Sequence, residues 1–143
     1  MKTRFEIDPN LPEEWAEFHI HKMTERLQRV VQDLGTTTQL WGYIDNIIKP
    51  LELNEVYLIE SLQSKVYAKT AKQTYQVKKK LYELEEFLPR NFVKISHSEF
   101  VNLDYLDHLE VAANATVILK LTNGQEAFVA RRCIKNLKAR LGI

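Results

Sequence analysis

Cysteine, glycine and proline are scarce in this sequence of 143 residues, and long apolar runs are missing. The single cysteine, Cys133, excludes an internal disulfide and a multi-cysteine zinc site, so we expect a reducing compartment, the cytoplasm. The four glycines form neither a Gly-x-Gly-x-x-Gly nor a Walker pattern, and we therefore expect no nucleotide cofactor. No run approaches the roughly eighteen apolar residues of a membrane span, and no apolar segment follows the first charges, which predicts neither membrane insertion nor a cleaved signal.

The charged residues are divided unevenly along the chain. The net charge is only +1, but residues 1–55 contain six basic and ten acidic side chains, whereas residues 56–143 contain fourteen basic and nine acidic ones. A hydrophobic content of 45% is enough for one compact domain with a small appendage. The basic residues form two runs without acidic interruption, one of Lys65, Lys69, Lys72, Lys78, Lys79 and Lys80, and one of Arg131, Arg132, Lys135, Lys138 and Arg140.

The first 35 residues read as a separate extension. Alternation over 2–7, and again from Trp15 to His21, predicts strands on either side of a break at 8–12. Apolar residues then recur every three or four positions, which predicts a helix over 22–34 with Gly35 at its C-cap. We therefore expect an extension of strands plus a helix at 1–35, a polar connector at 36–38, and a main domain over 36–143.

Short alternating runs dominate the main domain. A helix is predicted at 79–87, ended by Pro89, and an amphipathic helix begins near Cys133. Asn123-Gly124 is a strong hairpin signal. The fold class predicted is mostly β with short helices (α+β), with strands at 39–44, 46–50, 56–61, 65–70, 74–77, 92–95, 99–101, 105–111, 116–121 and 126–130.

Catalytic and metal-binding patterns are weak. His97 lies between Ser96 and Ser98, but neighbours on a strand point to opposite faces and no Gly-x-Ser-x-Gly elbow is nearby, so a hydrolase using His97 is not favoured. His19 and His21 lack a third ligand in register, and we interpret them as part of a solvated face. We therefore expect no catalytic residue and no metal site, and a protein that is not an enzyme.

The two basic runs indicate a surface that binds phosphate, as nucleic-acid-binding proteins have. Lysines on edge strands also protect against aggregation, and a cationic last helical turn favours the helix dipole. Charge alone leaves both interpretations open.

From Tyr57 onward the sequence resembles the LytTR family of bacterial DNA-binding domains. The resemblance rests on Tyr57-Leu58-Ile59-Glu60-Ser61, on the segment from Phe92 to Leu103, on Leu119 to Gly124, and on Val129 to Lys138. It covers residues 40–143, and the first 35 residues resemble the extension of stand-alone members without a receiver domain. This implies a transcription regulator with an elongated β-sheet DNA-binding domain.

The resemblance also implies that loops, rather than a recognition helix, enter successive major grooves. It assigns base contacts to Lys65, His97 and Arg132, and a one-residue shift in the alignment would replace Lys65 by Ser64 or Gln63. Backbone contacts are implied for Ser64, Lys94, Ser96, Ser98, Arg131 and Lys135.

Two positions depart from the family pattern, which commonly has arginine or lysine at His97 and serine at Ala130. A neutral histidine offers one donor and one acceptor in place of a cation, which changes base preference. Asn102 is predicted to cap a turn rather than to contact DNA. The predicted core includes Tyr57, Phe92, Phe100 and Leu119, which sit at alternating strand positions.

The partners implied are double-stranded DNA and a second copy of the chain. Trp15, Phe18, Ile20 and Leu27 either form the dimer contact or fold back as extra core. The alternative is an adaptor of LytTR fold that has lost DNA binding and engages another protein, for example a membrane-bound regulator.

Overall fold

The protein is described here by a computed structural model that covers residues 1–35 and 39–143. These residues form two compact units, one within 1–35 and one within 39–143. The predicted connector at 36–38 lies outside the described residues. No helix in the described ranges is both long and apolar enough to cross a membrane.

The first unit contains one helix, α1 (Glu25–Gly35). The hydroxyl oxygen of Thr24 accepts a hydrogen bond from the backbone N–H of Leu27 at 3.2 Å, which satisfies one of the free donors of the first turn. The helix was predicted over 22–34 and begins three residues later, because Thr24 is the residue that caps it.

The strands predicted over 2–7 and 15–21 are wrong. Residues 1–23 contain no strand, and Phe5 and Ile7 are almost fully exposed. Alternation places side chains on two faces, but a strand forms only where a neighbouring strand pairs with its N–H and C=O groups. Asp8 instead closes a local turn, with its carboxylate accepting from the backbone N–H of Asn10 at 3.0 Å.

The second unit is built on a seven-stranded antiparallel sheet. Its spatial order is β2-β1-β5-β4-β3-β7-β6, and a helix, α2 (Leu81–Phe87), connects β5 to β6. The strands are β1 (Leu40–Ile44), β2 (Ile47–Leu51), β3 (Val56–Leu62), β4 (Lys65–Thr70), β5 (Thr74–Val77), β6 (Phe92–Ser96) and β7 (Glu99–Asn102).

A three-stranded antiparallel sheet and a last helix complete this unit. The sheet has the order β10-β9-β8, with strands β8 (Leu106–Val111), β9 (Val117–Leu121) and β10 (Glu126–Val129). The predicted Asn123-Gly124 hairpin joins β9 to β10, where Gly124 adopts φ +84°, a conformation that costs glycine little. The last helix is α3 (Ile134–Leu141).

Apolar side chains on both faces of the large sheet are buried. Phe92 and Phe100 pack with Leu84 of α2 into one core, whereas their neighbours Val93 and Val101 pack with the small sheet and α3 into a second core. The period of two along each strand produces this division. The fold class predicted from the sequence is therefore confirmed. Phe92, Phe100 and Leu119 are buried as predicted, but Tyr57 is only half-buried.

Asn102 is the buried polar residue of this unit and caps the turn at Leu103–Tyr105, as predicted. Its side-chain oxygen accepts from the backbone N–H of Asp104 at 3.0 Å and from the side chain of Asn91 at 2.9 Å. Its amide nitrogen donates to the carbonyl oxygen of Val56 at 2.9 Å. The side chain thus joins β7, β3 and the segment before β6.

Candidate nucleic-acid interface

The turn between β3 and β4 consists of two residues in a left-handed conformation. Leu62 pairs with Lys65, and the residues between them, Gln63 and Ser64, have φ +49° and φ +67°. A two-residue turn with positive φ at both positions matches the twist of the strands and normally favours Asn-Gly. Both side chains are exposed at the tip, and Lys65 is exposed at the start of β4.

The turn between β6 and β7 is held by one serine hydroxyl. Ser96 donates to a carboxylate oxygen of Glu99 at 3.1 Å and accepts from the backbone N–H of Ser98 at 3.3 Å. His97 lies at the tip and is exposed. Ser96 therefore fixes the backbone that carries His97.

These two turns lie side by side at one end of the large sheet. The backbone N–H of Ser61 donates to the carbonyl oxygen of Ser98 at 2.8 Å, one residue beyond the pairing of Glu60 with Glu99. Since β3 and β7 are neighbouring strands about 4.8 Å apart, the middles of the two turns lie about two strand spacings, or 10 Å, apart.

A third segment reaches the same end from the small sheet. The backbone N–H of Ala130 donates to the carbonyl oxygen of Ile95 at 2.7 Å, directly before the β6–β7 turn. A short 3-10 turn, Arg131–Cys133, follows, and Arg131 and Arg132 are exposed. We call these three segments, residues 62–65, 96–99 and 130–132, the turn end.

The structure brings the three predicted base-contacting residues to the turn end. Lys65, His97 and Arg132 are all exposed. His97 and Arg132 lie within two residues of a backbone hydrogen bond that joins their segments, and Lys65 pairs with Leu62, the neighbour of Ser61. Glu99 is the acidic residue in these three segments, and it accepts the hydrogen bond from Ser96.

The residues predicted to contact the DNA backbone divide into two groups. Ser64, Ser96, Ser98 and Arg131 lie in the turn end, and Lys135 is exposed in the first turn of α3. Lys94 lies two residues before the β6–β7 turn, and its ammonium group is 3.4 Å from a carboxylate oxygen of Glu85 on α2.

The basic runs that look continuous in the sequence are divided in the structure. Lys69 pairs with Glu60 at 2.7 Å, and Lys72 lies in the turn between β4 and β5, at the end of the sheet opposite to the turn end. Arg140 donates to the carbonyl oxygen of Arg90 at 2.6 Å, before β6 begins. Each run therefore contributes only part of its charge to the turn end.

Sequence reasoning assigned no site role to Lys78, Lys79 and Lys80, which follow β5 beside the turn end. Val77 pairs with Val66, so Lys78 lies next to Lys65 on the neighbouring strand. The signal that could have found them is the hairpin register, because antiparallel pairing of 65–70 with 74–77 returns the chain to the end at which Lys65 lies.

The other end of this unit carries acidic side chains beside the basic residues Lys72 and Arg90. Asp45 lies in the β1–β2 turn, Glu55 precedes β3, and Asp104 follows β7.

One histidine outside the turn end has an altered acidity. His108 on β8 lies 2.6 Å from a carboxylate oxygen of Asp107 and 3.2 Å from one of Glu110. The hydrogen bond to Asp107, followed by that to Glu110, raises the pKa of His108 above its usual value. On the next strand, Lys120 pairs with Glu126 and faces Glu110.

The fold and the turn end define a class of protein, a β-sheet domain that presents basic and polar turns from one end of its sheet. The family model of the LytTr DNA-binding domain matches residues 46–142. The chain therefore belongs to the LytTR family of DNA-binding domains.

Relatives match along the whole chain. An uncharacterized HTH-type transcriptional regulator of Staphylococcus aureus strain NCTC 8325 is 34% identical over 146 residues, which cover 100% of this chain and 99% of the relative. A protein of the same description from strain MSSA476 is 33% identical with the same coverage. The solved LytTr DNA-binding domain from Bacillus cereus superposes with a TM-score of 0.71 at 21% identity, over 76% of this chain and 100% of that domain.

The term HTH in the relatives' names does not describe the second unit. Within residues 39–143, α2 and α3 are separated by β6, β7, β8, β9 and β10, so these two helices do not form a helix-turn-helix. Exposed basic side chains lie both in the turn end, at Lys65, Arg131 and Arg132, and on α3, at Lys135, Lys138 and Arg140.

Proposed function

We propose that this protein is a transcription regulator that binds double-stranded DNA in a sequence-specific manner through the turn end. The observation that carries the proposal is the convergence of three exposed segments, held together by the Ser61–Ser98 and Ala130–Ile95 hydrogen bonds. The chain belongs to a family of DNA-binding domains, and its full-length relatives are named transcriptional regulators. We expect it to act in the cytoplasm without catalysing a reaction and without a cofactor.

We infer that the turns enter successive major grooves. This mode rests on the resemblance to the LytTR family, because the span from β4 to β6, three strand spacings or about 14 Å, is itself close to the width of one major groove, about 12 Å.

The proposed base contacts are Lys65, His97 and Arg132. An arginine donates two hydrogen bonds to guanine O6 and N7, and a lysine or a histidine meets acceptors on purine edges. Gln63 and Ser64 lie further out than Lys65 in the same turn, and either can take the place of Lys65 at the base edge.

The proposed backbone contacts fix the position of the domain on the duplex without carrying sequence information. Ser64, Ser98, Arg131 and Lys135 are placed for direct contacts. Lys94 would exchange its surface ion pair with Glu85 for a phosphate, since an exposed pair of this kind contributes little. Ser96 acts by holding the turn that carries His97.

We propose that residues 1–35 form a dimer contact and residues 36–143 form the DNA-binding domain. In the first unit, Trp15, Phe18 and Ile20 are exposed and Leu27 is half-buried. Exposed apolar side chains of this number favour association, and a symmetric dimer would place two turn ends on paired half-sites. Sedimentation should show a dimer that Trp15→Ser with Phe18→Ser converts to a monomer.

Selection of bound duplexes from a random library tests the proposed function. A sequence-specific dimer should enrich one motif in two copies, and its affinity should fall steeply as salt rises. If no motif is enriched and binding is weak and indifferent to sequence, the proposal is wrong, and the adaptor with a protein partner, such as a membrane-bound regulator, takes its place.

A further inference from the structure

A groove lined by lysines lies beside the turn end. Its volume is about 390 Å³, and its polar lining includes Ser64, Lys65, Gln76, Lys78, Lys79 and Lys80, which we call the lysine groove. None of the residues that line it is acidic. The groove is formed where the β3–β4 turn faces the short link between β5 and α2.

The lysines of this groove keep their charge free for a ligand. The ammonium group of Lys78 lies 5.2 Å from the ring centroid of Tyr43, and that of Lys79 lies 4.8 Å from the ring centroid of Phe87. An aromatic face orients a cation without neutralising it. In the described part of the chain, the ion pairs within 4.0 Å do not include any of the four lysines.

Lys65, Lys78, Lys79 and Lys80 line one groove that contains no acidic side chain, so their positive charges repel one another. Natural sheets often use single lysines to protect an edge, but this role does not require one lysine at the start of β4 and three more in the link after β5. The repulsion is relieved when several negative charges occupy the groove together. A chain of phosphates meets this requirement, because each neutralised phosphate also releases a condensed counterion.

The position of the groove indicates which part of the DNA backbone would supply these phosphates. Across the end of the large sheet, the order is Arg132, the β6–β7 turn, the β3–β4 turn and then the link at Lys78–Lys80. The groove therefore continues the line of the turn end on the side away from Arg132. One strand spacing of about 4.8 Å corresponds to one or two nucleotides at a rise of about 3.4 Å along one strand.

We propose that the lysine groove binds backbone phosphates of the duplex outside the segment whose bases are read, on the flank nearest the β3–β4 turn. This inference rests on the proposed function. The DNA segment that each domain contacts would then be asymmetric, since Lys78, Lys79 and Lys80 extend the contacts on one flank only.

The test compares variants of the lysine groove on two duplexes, using the full chain. One duplex extends about five base pairs beyond the enriched motif on both sides, and the other ends at the motif on the flank nearest the β3–β4 turn. On the long duplex, Lys80→Gln and Lys78→Gln should each lower the affinity about 5-fold at 0.15 M salt and reduce the salt slope by about 0.9. On the truncated duplex, both variants should bind like the unaltered protein.

Lys72→Gln is the matched control, because it removes the same charge from the opposite end of the sheet. Lys80→Gln alone keeps the test valid if loss of the Lys78–Tyr43 contact lowers stability. Equal losses on both duplexes, or losses no larger than that of Lys72→Gln, would overturn the inference. Failure of the proposed function is distinguishable, because it would abolish the preference for the enriched motif in the unaltered protein.

Discussion

The backbone N–H of Ala130 donates to the carbonyl oxygen of Ile95 at 2.7 Å, which joins the end of the small sheet to the last strand of the large one. Arg132 is two residues after Ala130, and His97 is two residues after Ile95, so this bond brings the two side chains' segments together. Residues from two sheets thereby reach one surface, although 34 residues of sequence separate Ile95 from Ala130.

Replacement of Arg132 should reduce sequence preference more than general affinity. Arg132→Ala removes a side chain that can donate two hydrogen bonds to guanine, which discriminates against the wrong base by about 1–3 kcal/mol. Competition with specific and random duplexes should show the preference falling by about 5- to 150-fold. Lys138→Ala is the control, as an exposed basic residue further along α3, and should leave the preference unchanged.

The β3–β4 turn should gain stability and lose DNA affinity when Ser64 is replaced by glycine. Ser64 has φ +67°, a conformation that costs a residue with a side chain about 1 kcal/mol more than glycine. Chemical denaturation of Ser64→Gly should show a free energy of unfolding about 1 kcal/mol higher. Binding should weaken because the hydroxyl group is lost from the turn end.

Ser98→Gly is the control for Ser64→Gly, because Ser98 lies in the β6–β7 turn and its φ is not positive. Glycine there should lower the stability by about 0.5–1 kcal/mol through greater freedom of the unfolded chain. A stability gain in both variants, or in neither, would contradict the role given to the left-handed conformation of Ser64.

Asn102→Ala should destabilise the second unit strongly. The substitution removes three hydrogen bonds and leaves the carbonyl oxygen of Val56 without its side-chain donor. A buried polar group left unsatisfied costs about 1–3 kcal/mol, so we expect a loss of about 2–4 kcal/mol with the cavity included. Denaturant titration measures this loss. The exposed helical residue Asn136 is the control, and its replacement by alanine should be neutral or slightly stabilising.

The pKa of His108 should fall when Asp107 is replaced by asparagine. Asp107 is the largest cause of the raised pKa, with Glu110 second. A pKa raised in the folded state means that protonated His108 stabilises the fold fully below the ordinary value of about 6.5, and that this contribution is lost as pH rises through the higher folded value. NMR titration of the His108 ring in the two proteins measures the change, and an unchanged midpoint would contradict it.

Local patterns in the sequence were sufficient for most of the second unit. Alternation in residues such as those of β3 and β4 predicts strands within one or two residues of their observed bounds, because side chains there alternate between two buried faces or between core and solvent. Asn123-Gly124 predicts its hairpin, and Asn102 its cap, because both depend on conformations set by nearby backbone groups. The same reasoning failed at 2–7, where alternation occurs but no partner strand pairs with it.

The sequence by itself determined the period of each strand, the turns and helix ends, and the basic runs, since each depends on residues a few positions apart. Tertiary structure alone decided which basic residues share a surface. Lys72 and Lys78 belong to one run, yet strand pairing sends Lys72 to the far end of the sheet and returns Lys78 beside Lys65. The physical reason is that register and sheet order are set by pairing between distant segments, so the position of a charge in space follows from hydrogen bonds that no local pattern contains.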